Sequence, residues 1–410
     1  MTRRAVRGFI AGLVIVAAAA VAPATEVADP APAIDAREGQ VLDLVELGTG
    51  KRLVRPTLEK LVVRDGKVVS LRLKAEGEAR AITVLMPAII RIVADRETIY
   101  EAEAKGTNAA QLRSKRARVA YEKSVAESVA RMQGRGVEPW PQLSADEHAA
   151  EVAALEAFVK QVQEAFPRLT LDTTHEFLVA TDIPPAQMQP FVAGLDRMHD
   201  FLCDLYGIPR GEPVWKGKCL VVAFHDEDDF IAFEGRFMRN DGRGAHGLCH
   251  QRSDGRVITA CHQGSDTAAF AHMLVHETSH GFNHRWMSPV RLPNWLNEGI
   301  AEWVGTKVVP QSNQVPLKEA QALKAMRARG DLGAEFFTAD SIQAVQYGMA
   351  SGLVKFLTAR DPRKFAAFVR GIKEGMPVEE CLRDAYGATL DDLVAAYGQA
   401  VGVPGLKGRP

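Results

Sequence analysis

Residues 276–280 read His276-Glu277-Thr278-Ser279-His280, and residues 293–302 read Pro293-Asn294-Trp295-Leu296-Asn297-Glu298-Gly299-Ile300-Ala301-Glu302. On a helix, positions i and i+4 lie one above the other, so both imidazoles project from one face. Two neutral imidazoles so placed can grip one Zn2+ at about 2.0–2.1 Å. Glu277 stands beside the first of them, where it can take a proton from a water on the ion. A catalytic zinc needs a third protein ligand and one open position. Pro293 and Asn294 read as the start of a second helix, and Glu298 falls early in it as the candidate third ligand. Glu302, one turn further along the same face, can accept the other ring N–H of a ligating histidine, His276 by preference, and fix its tautomer. Residues 281–292 are long enough to reverse the chain and bring the helices together. The competing reading is two ordinary helices whose histidines meet by coincidence.

Working outward, residues 175–180 (HEFLVA) read as a strand and Pro184-Pro185 opens a helix to about Tyr206. Residues 219–224 (CLVVAF) read as a buried strand, and Asp228 starts a helix through Phe233. Residues 247–261 form a hairpin around Ser253-Asp254-Gly255-Arg256. Residues 266–283 and 296–306 are helical, and the last hundred residues alternate amphipathic helices with Gly and Pro breaks. Towards the N-terminus, residues 41–101 carry a β pattern, including a hairpin turning on Asp65-Gly66. Residues 102–133 and 145–165 read as helices. The basic cluster Arg113, Lys115, Arg116 and Arg118 is followed by Glu122 and Glu127, which marks a solvated face, not a nucleic-acid patch.

The composition agrees with a folded protein. The chain has 410 residues, 50 Lys+Arg against 51 Asp+Glu, and a formal net charge of −1, so no global field selects nucleic acid or acidic membranes. Arg3, Arg4 and Arg7 precede an apolar run over residues 8–22, and Ala22-Pro23-Ala24 offers a small-residue cleavage site. This is the order of an export signal, and the run is shorter than the roughly 20 residues of a spanning helix. An uncleaved anchor is the alternative. The expected organisation is a signal peptide (1–24), a linker (25–38), a small β-rich module (39–101), a helical spacer (102–168), a catalytic domain (169–400) and a tail (401–410).

The two quoted segments resemble the gluzincin metallopeptidases, more narrowly the bacterial peptidase-MA-like group. The resemblance extends loosely over residues 170–400, through Tyr347-Gly348-Met349-Ala350-Ser351-Gly352 and the stretch from Tyr386-Gly387 to Tyr397. It implies an α+β, thermolysin-like zincin domain with a mixed sheet and active-site helices. It also implies Zn2+ on His276, His280 and Glu298, with Glu277 as general base and acid. By analogy with that group, Tyr347 is a candidate donor to the reaction's oxyanion, a core tyrosine being the alternative. Two departures limit the likeness. No Gly-x-Met-Glu-Asn strand marks an aminopeptidase, and Asn283 and Trp286 occupy the positions where a metzincin carries glycine and histidine.

The remaining candidates are secondary. Were the hairpin turn centred on Gly255, Cys249 and Cys261 would face each other and could form a disulfide in an exported protein. Cys203 with Cys219 is a second possible pair, which leaves Cys381. His246, His250 and His262 read as surface or pocket-rim residues, His284 as a helix-end residue near the pocket, His272 as packing, and residues 226–229 (DEDD) as a helix cap. The functional expectation is an exported zinc peptidase acting on a peptide or protein, the hairpin offering an edge strand to an extended chain. No nucleic-acid partner and no membrane beyond the export segment are expected. The alternative is a metal-bearing protein on the same fold that binds a peptide or envelope partner without turnover.

Overall fold

The computed structural model describes residues 36–47, 52–64, 67–76, 78, 80–95, 97–101, 115–209 and 212–409. The expected export segment and most of the expected linker lie outside the described residues, as do the Asp65-Gly66 turn and Arg113. The protein is of mixed α+β type, and its chain divides into two compact units, Met1–Lys115 and Arg116–Pro410.

Among its described residues the smaller unit has seven short strands. One sheet has the order β2-β1-β6-β7, with β1 Leu44–Leu47, β2 Arg52–Val54, β6 Ile89–Ala94 and β7 Glu97–Glu101. The other has the order β3-β4-β5, with β3 Thr57–Arg64, β4 Lys67–Lys74 and β5 Ile82–Leu85. Strands β3 and β4 are a hairpin in which Arg64 opposes Lys67. Leu42, Val45, Leu58, Leu71, Leu73, Ile89 and Ile92 share one core.

The larger unit is organised on a five-stranded sheet of order β11-β12-β10-β9-β8. Its members are β8 Thr170–Thr173, β9 Phe177–Thr181, β10 Cys219–Phe224, β11 Gly247–Gln251 and β12 Val257–His262. The three central strands are parallel and the two edges antiparallel. Strands β9, β10 and β12 are buried along their whole length, which is why their sequences are mostly apolar and do not alternate. One face packs against α2 (Ala145–Ala165) and α4 (Glu227–Phe233) through Leu155, Val159, Val162, Phe230 and Phe233. The other packs against α3 (Pro185–Tyr206) and α5 (Thr267–Arg285) through Leu195, Met198, Leu202, Leu274 and Phe282. Helices α1 (Lys115–Gly134) and α2, read from the sequence as a spacer, therefore belong to the larger unit, because the apolar stripe of α2 covers a sheet face.

After α5 come α6 (Asn294–Val308), α7 (Gln314–Arg329), α8 (Ala344–Arg360), α9 (Pro362–Lys373), α10 (Val378–Tyr386) and α11 (Leu390–Ala400). Residues 401–409 are no loose tail: Val403 and Leu406 enter the core, and Lys407 forms a parallel bridge with Asp331.

The hairpin corrects the disulfide expectation. Its turn spans residues 252–256, with Gln251 opposite Val257, so it centres on Asp254 and not on Gly255. Gly255 instead takes a left-handed φ of 88° inside the turn. Cys249 consequently opposes Thr259, and Cys261 opposes Gly247. Cys249 and Cys261 are both free thiols, and so are Cys203 and Cys219, the former lying against His199.

Candidate metal centre

Helix α5 is started by Asp266, whose carboxylate accepts from the Ala268 and Ala269 amides. It ends against the 286–293 segment, which leads directly into α6. That segment is pinned by a fully buried lysine. Lys373 Nζ donates to the carbonyls of Ser288 (2.5 Å), Val290 (2.7 Å) and His284 (3.3 Å). A second tie joins the helices themselves. Tyr206 of α3 donates to Asn283 Oδ1 (2.9 Å), and Asn283 Nδ2 donates to Asn297 Oδ1 of α6 (3.4 Å). Gly299 allows the other side of α6 to touch α8, since a Cβ there would lie 2.5 Å from the Ala350 carbonyl oxygen.

These contacts bring His276, His280 and Glu298 together. His276 Nε2 lies 3.2 Å and His280 Nε2 3.4 Å from Glu298 Oε2, and the two Nε2 atoms are 3.1 Å apart. Ligand atoms around a tetrahedral ion bonded at about 2.0–2.1 Å stand about 3.3 Å from each other. The observed triangle fits that spacing. Its donor set fits as well, because Glu298 Oε2 is buried and has no hydrogen-bond partner. Without an ion, burial would raise the Glu298 carboxyl, but His276 and His280 override it and hold it far below the usual range. Burial opposes protonation of His280, but the Glu298 carboxylate pushes that imidazole up to about 9.

Glu302 carries more than the sequence suggested. Its Oε1 is 3.6 Å from His276 Nδ1, the ring nitrogen opposite the one facing Glu298, and its short bond, 2.5 Å, is to Lys318 Nζ of α7. Its Oε2 is 3.4 Å from His272 Nε2. Burial alone would raise its pKa, but His272, His276 and Lys318 bring it down to about 2. His272, His276 and Glu302 form the second of the two metal-compatible groups among the described residues. That group is the poorer one, because Lys318 already binds one oxygen of its carboxylate. Lys318 had no signature in the sequence, being one cation among many on an amphipathic helix.

Glu277 is half-buried and has no hydrogen bond or ion pair with any described residue. Tyr347, on α8, is near the same charges. Burial, then Glu298, Glu302 and Glu277, push its phenol up to about 12, and Lys318 Nζ lies 5.5 Å from its ring centroid.

A cavity of about 840 Å3 opens beside His280, between the β11 edge (His250, Gln251), Arg252 of the hairpin turn, Asn283, Asn297 and residues 337–340. It does not extend to His276 or Glu277. His284 lines it, bonded to the Arg252 carbonyl (3.3 Å), and burial with the Lys373, Arg291 and Arg285 charges lowers its pKa to about 4. His284 is thus part of the wall and belongs to neither metal-compatible group. His250 binds the buried Glu234 (2.8 Å), and the His246 ring lies tilted against that of His262 at 5.1 Å; none of the three joins a metal group. Asp226 takes the N-cap position of α4 without a side-chain cap bond and pairs with Arg168 instead.

Fold and site together define a mixed α+β protein with a buried two-histidine, one-glutamate cluster suited to a divalent ion. Comparison with protein-family models and with curated proteins gives no match to this chain.

Proposed function

We propose that the protein is an exported zinc-dependent peptidase whose larger unit is a thermolysin-like zincin domain. The observation that carries this reading is the convergence of His276 Nε2, His280 Nε2 and a buried Glu298 Oε2 at tetrahedral spacing. All three donors are nitrogen or oxygen on a rigid helix pair, a set typical of catalytic zinc with one position left open. When bound, Zn2+ supplies Lewis acidity to a water and to the scissile carbonyl.

The chain's own residues supply the rest. Glu277 accepts the proton of the attacking water and returns it to the leaving amine. Tyr347, kept protonated by its raised pKa, donates to the developing oxyanion. Glu302 orients the His276 ring, and Lys318 holds Glu302 ionised. Strand β11 is a sheet edge beside the cavity, so an extended peptide can pair with its backbone with little demand on side chains. The basic, apolar and small-residue order of residues 3–24 supports export.

Glu277→Gln tests the reading. The variant is expected to keep about one equivalent of zinc and to lose cleavage of a peptide library by at least about a hundredfold. Undiminished cleavage removes Glu277 from the mechanism. A wild type that holds zinc and cleaves nothing in the library supports instead a binding role for the same cluster.

A further inference from the structure

A second cavity, of about 900 Å3, lies in the larger unit behind the C-terminal end of α5. Its walls include Tyr121, Trp140, Trp215 and Trp286, and Arg285 and Arg370 face it. Arg285 is only 9% exposed, yet it has no ion pair and no hydrogen bond with any described residue; its Nε is buried without an acceptor. Its guanidinium sits 5.3 Å from the Trp140 ring centroid. Burial, with no acid to offset it, lowers its pKa to about 10, which leaves it charged at neutral pH. Arg370 gives its bonds to Ser124 Oγ (3.2 Å) and the Tyr206 carbonyl (3.3 Å), neither of them an anion. The wall carboxylates Glu122 and Glu212 have interactions of their own. Where an acid is provided nearby, it is used: Arg131 grips Glu374 through two bonds of 2.7 and 2.8 Å.

A desolvated guanidinium without a counter-ion is costly, and its planar fork matches a carboxylate in bidentate fashion. Aromatic walls around it favour a ligand with a flat apolar body, and the volume suits a small molecule. We infer that this cavity binds a small aromatic carboxylate, its acid group on Arg285 and its ring among Trp140, Trp215 and Trp286. Trp140 also connects the site to the metal side. Its Nε1 donates to the His284 carbonyl (3.0 Å) and its ring lies edge-on to the His284 ring at 5.3 Å, and His284 lines the cavity next to His280.

Calorimetric titration of the full chain with 3-phenylpropionate tests this without reference to activity. Saturable one-to-one binding is expected, with 3-phenylpropanamide and acetate each weaker by at least about tenfold, the first for want of charge and the second for want of a ring. Arg285→Met should weaken phenylpropionate by at least about tenfold, with Arg285→Lys between that variant and wild type. Binding should persist in His280→Ala and under a metal chelator, which separates the site from the proposed zinc centre. No saturation by about 10 mM, equal binding of the amide or of acetate, an unchanged Arg285→Met, or loss of binding in His280→Ala would each overturn the inference. Should Arg285→Met not fold, the wild-type comparison of carboxylate with amide decides.

Discussion

Two glutamates four residues apart on α6 have different work, and the difference is measurable. Glu298 places a bare oxygen between two imidazoles, whereas Glu302 touches the far side of one ring and is neutralised by Lys318. Glu298→Gln removes a proposed ligand and is expected to abolish stoichiometric zinc in elemental assay. Glu302→Gln keeps all three ligands and loses only their orientation, so zinc is retained with affinity lower by about 10–100-fold in a competition titration. Equal losses in the two variants would place Glu302 among the ligands.

The helix pair decides whether those residues meet. Gly299 lets α6 lie against the Ala350 carbonyl of α8, and no β-carbon fits there without displacing backbone. Gly299→Ala is expected to cost about 1–3 kcal/mol in denaturant unfolding and to lower zinc affinity, because the displaced segment carries Glu298. The pair also sets a pH dependence. In metal-free protein the folded His280 titrates near 9, above its ordinary 6.5. Its stabilising charge is fully present below 6.5 and is lost as pH rises through about 9. Zinc competes with that proton, so its apparent affinity should rise about tenfold per pH unit towards pH 9 and then level off. An affinity flat between pH 7 and 9 would mean that His280 is already neutral there.

At the scale of the molecule, the two units have separate cores, and the metal-compatible cluster belongs wholly to the larger. A ligand stabilises only the unit that binds it, by about 2.7 kcal/mol at a hundred times its Kd. Calorimetry of the zinc-loaded chain should show a chelator lowering the transition of residues 116–410 while that of the smaller unit stays in place. A common shift of both transitions would show that the units unfold together.

Local geometry accounts for what was legible in the residues themselves. The i, i+4 spacing of His276 and His280 requires only a helix, Glu298 requires only a second one, and the runs at 175–180 and 219–224 mark strands, the second of them buried. The sequence by itself therefore determined the mixed α+β character, the order of elements around the site and the three side chains, His276, His280 and Glu298, that the fold brings together. It could not settle what depends on approach between distant segments. Lys318 on Glu302, the phenol of Tyr347 among three carboxylates, and Lys373 pinning residues 284–290 arise from helices packed together after long excursions of chain. The Cys249–Thr259 register turned on where a five-residue turn centres, a matter of backbone conformation that the side-chain pattern leaves open. Arg285, an ordinary cation in the sequence, became a buried and unpaired one only when the segment between α1 and α2 brought Trp140 against it. Periodicity reports a residue's immediate neighbours along the chain, while charge, burial and pairing are set by neighbours in space.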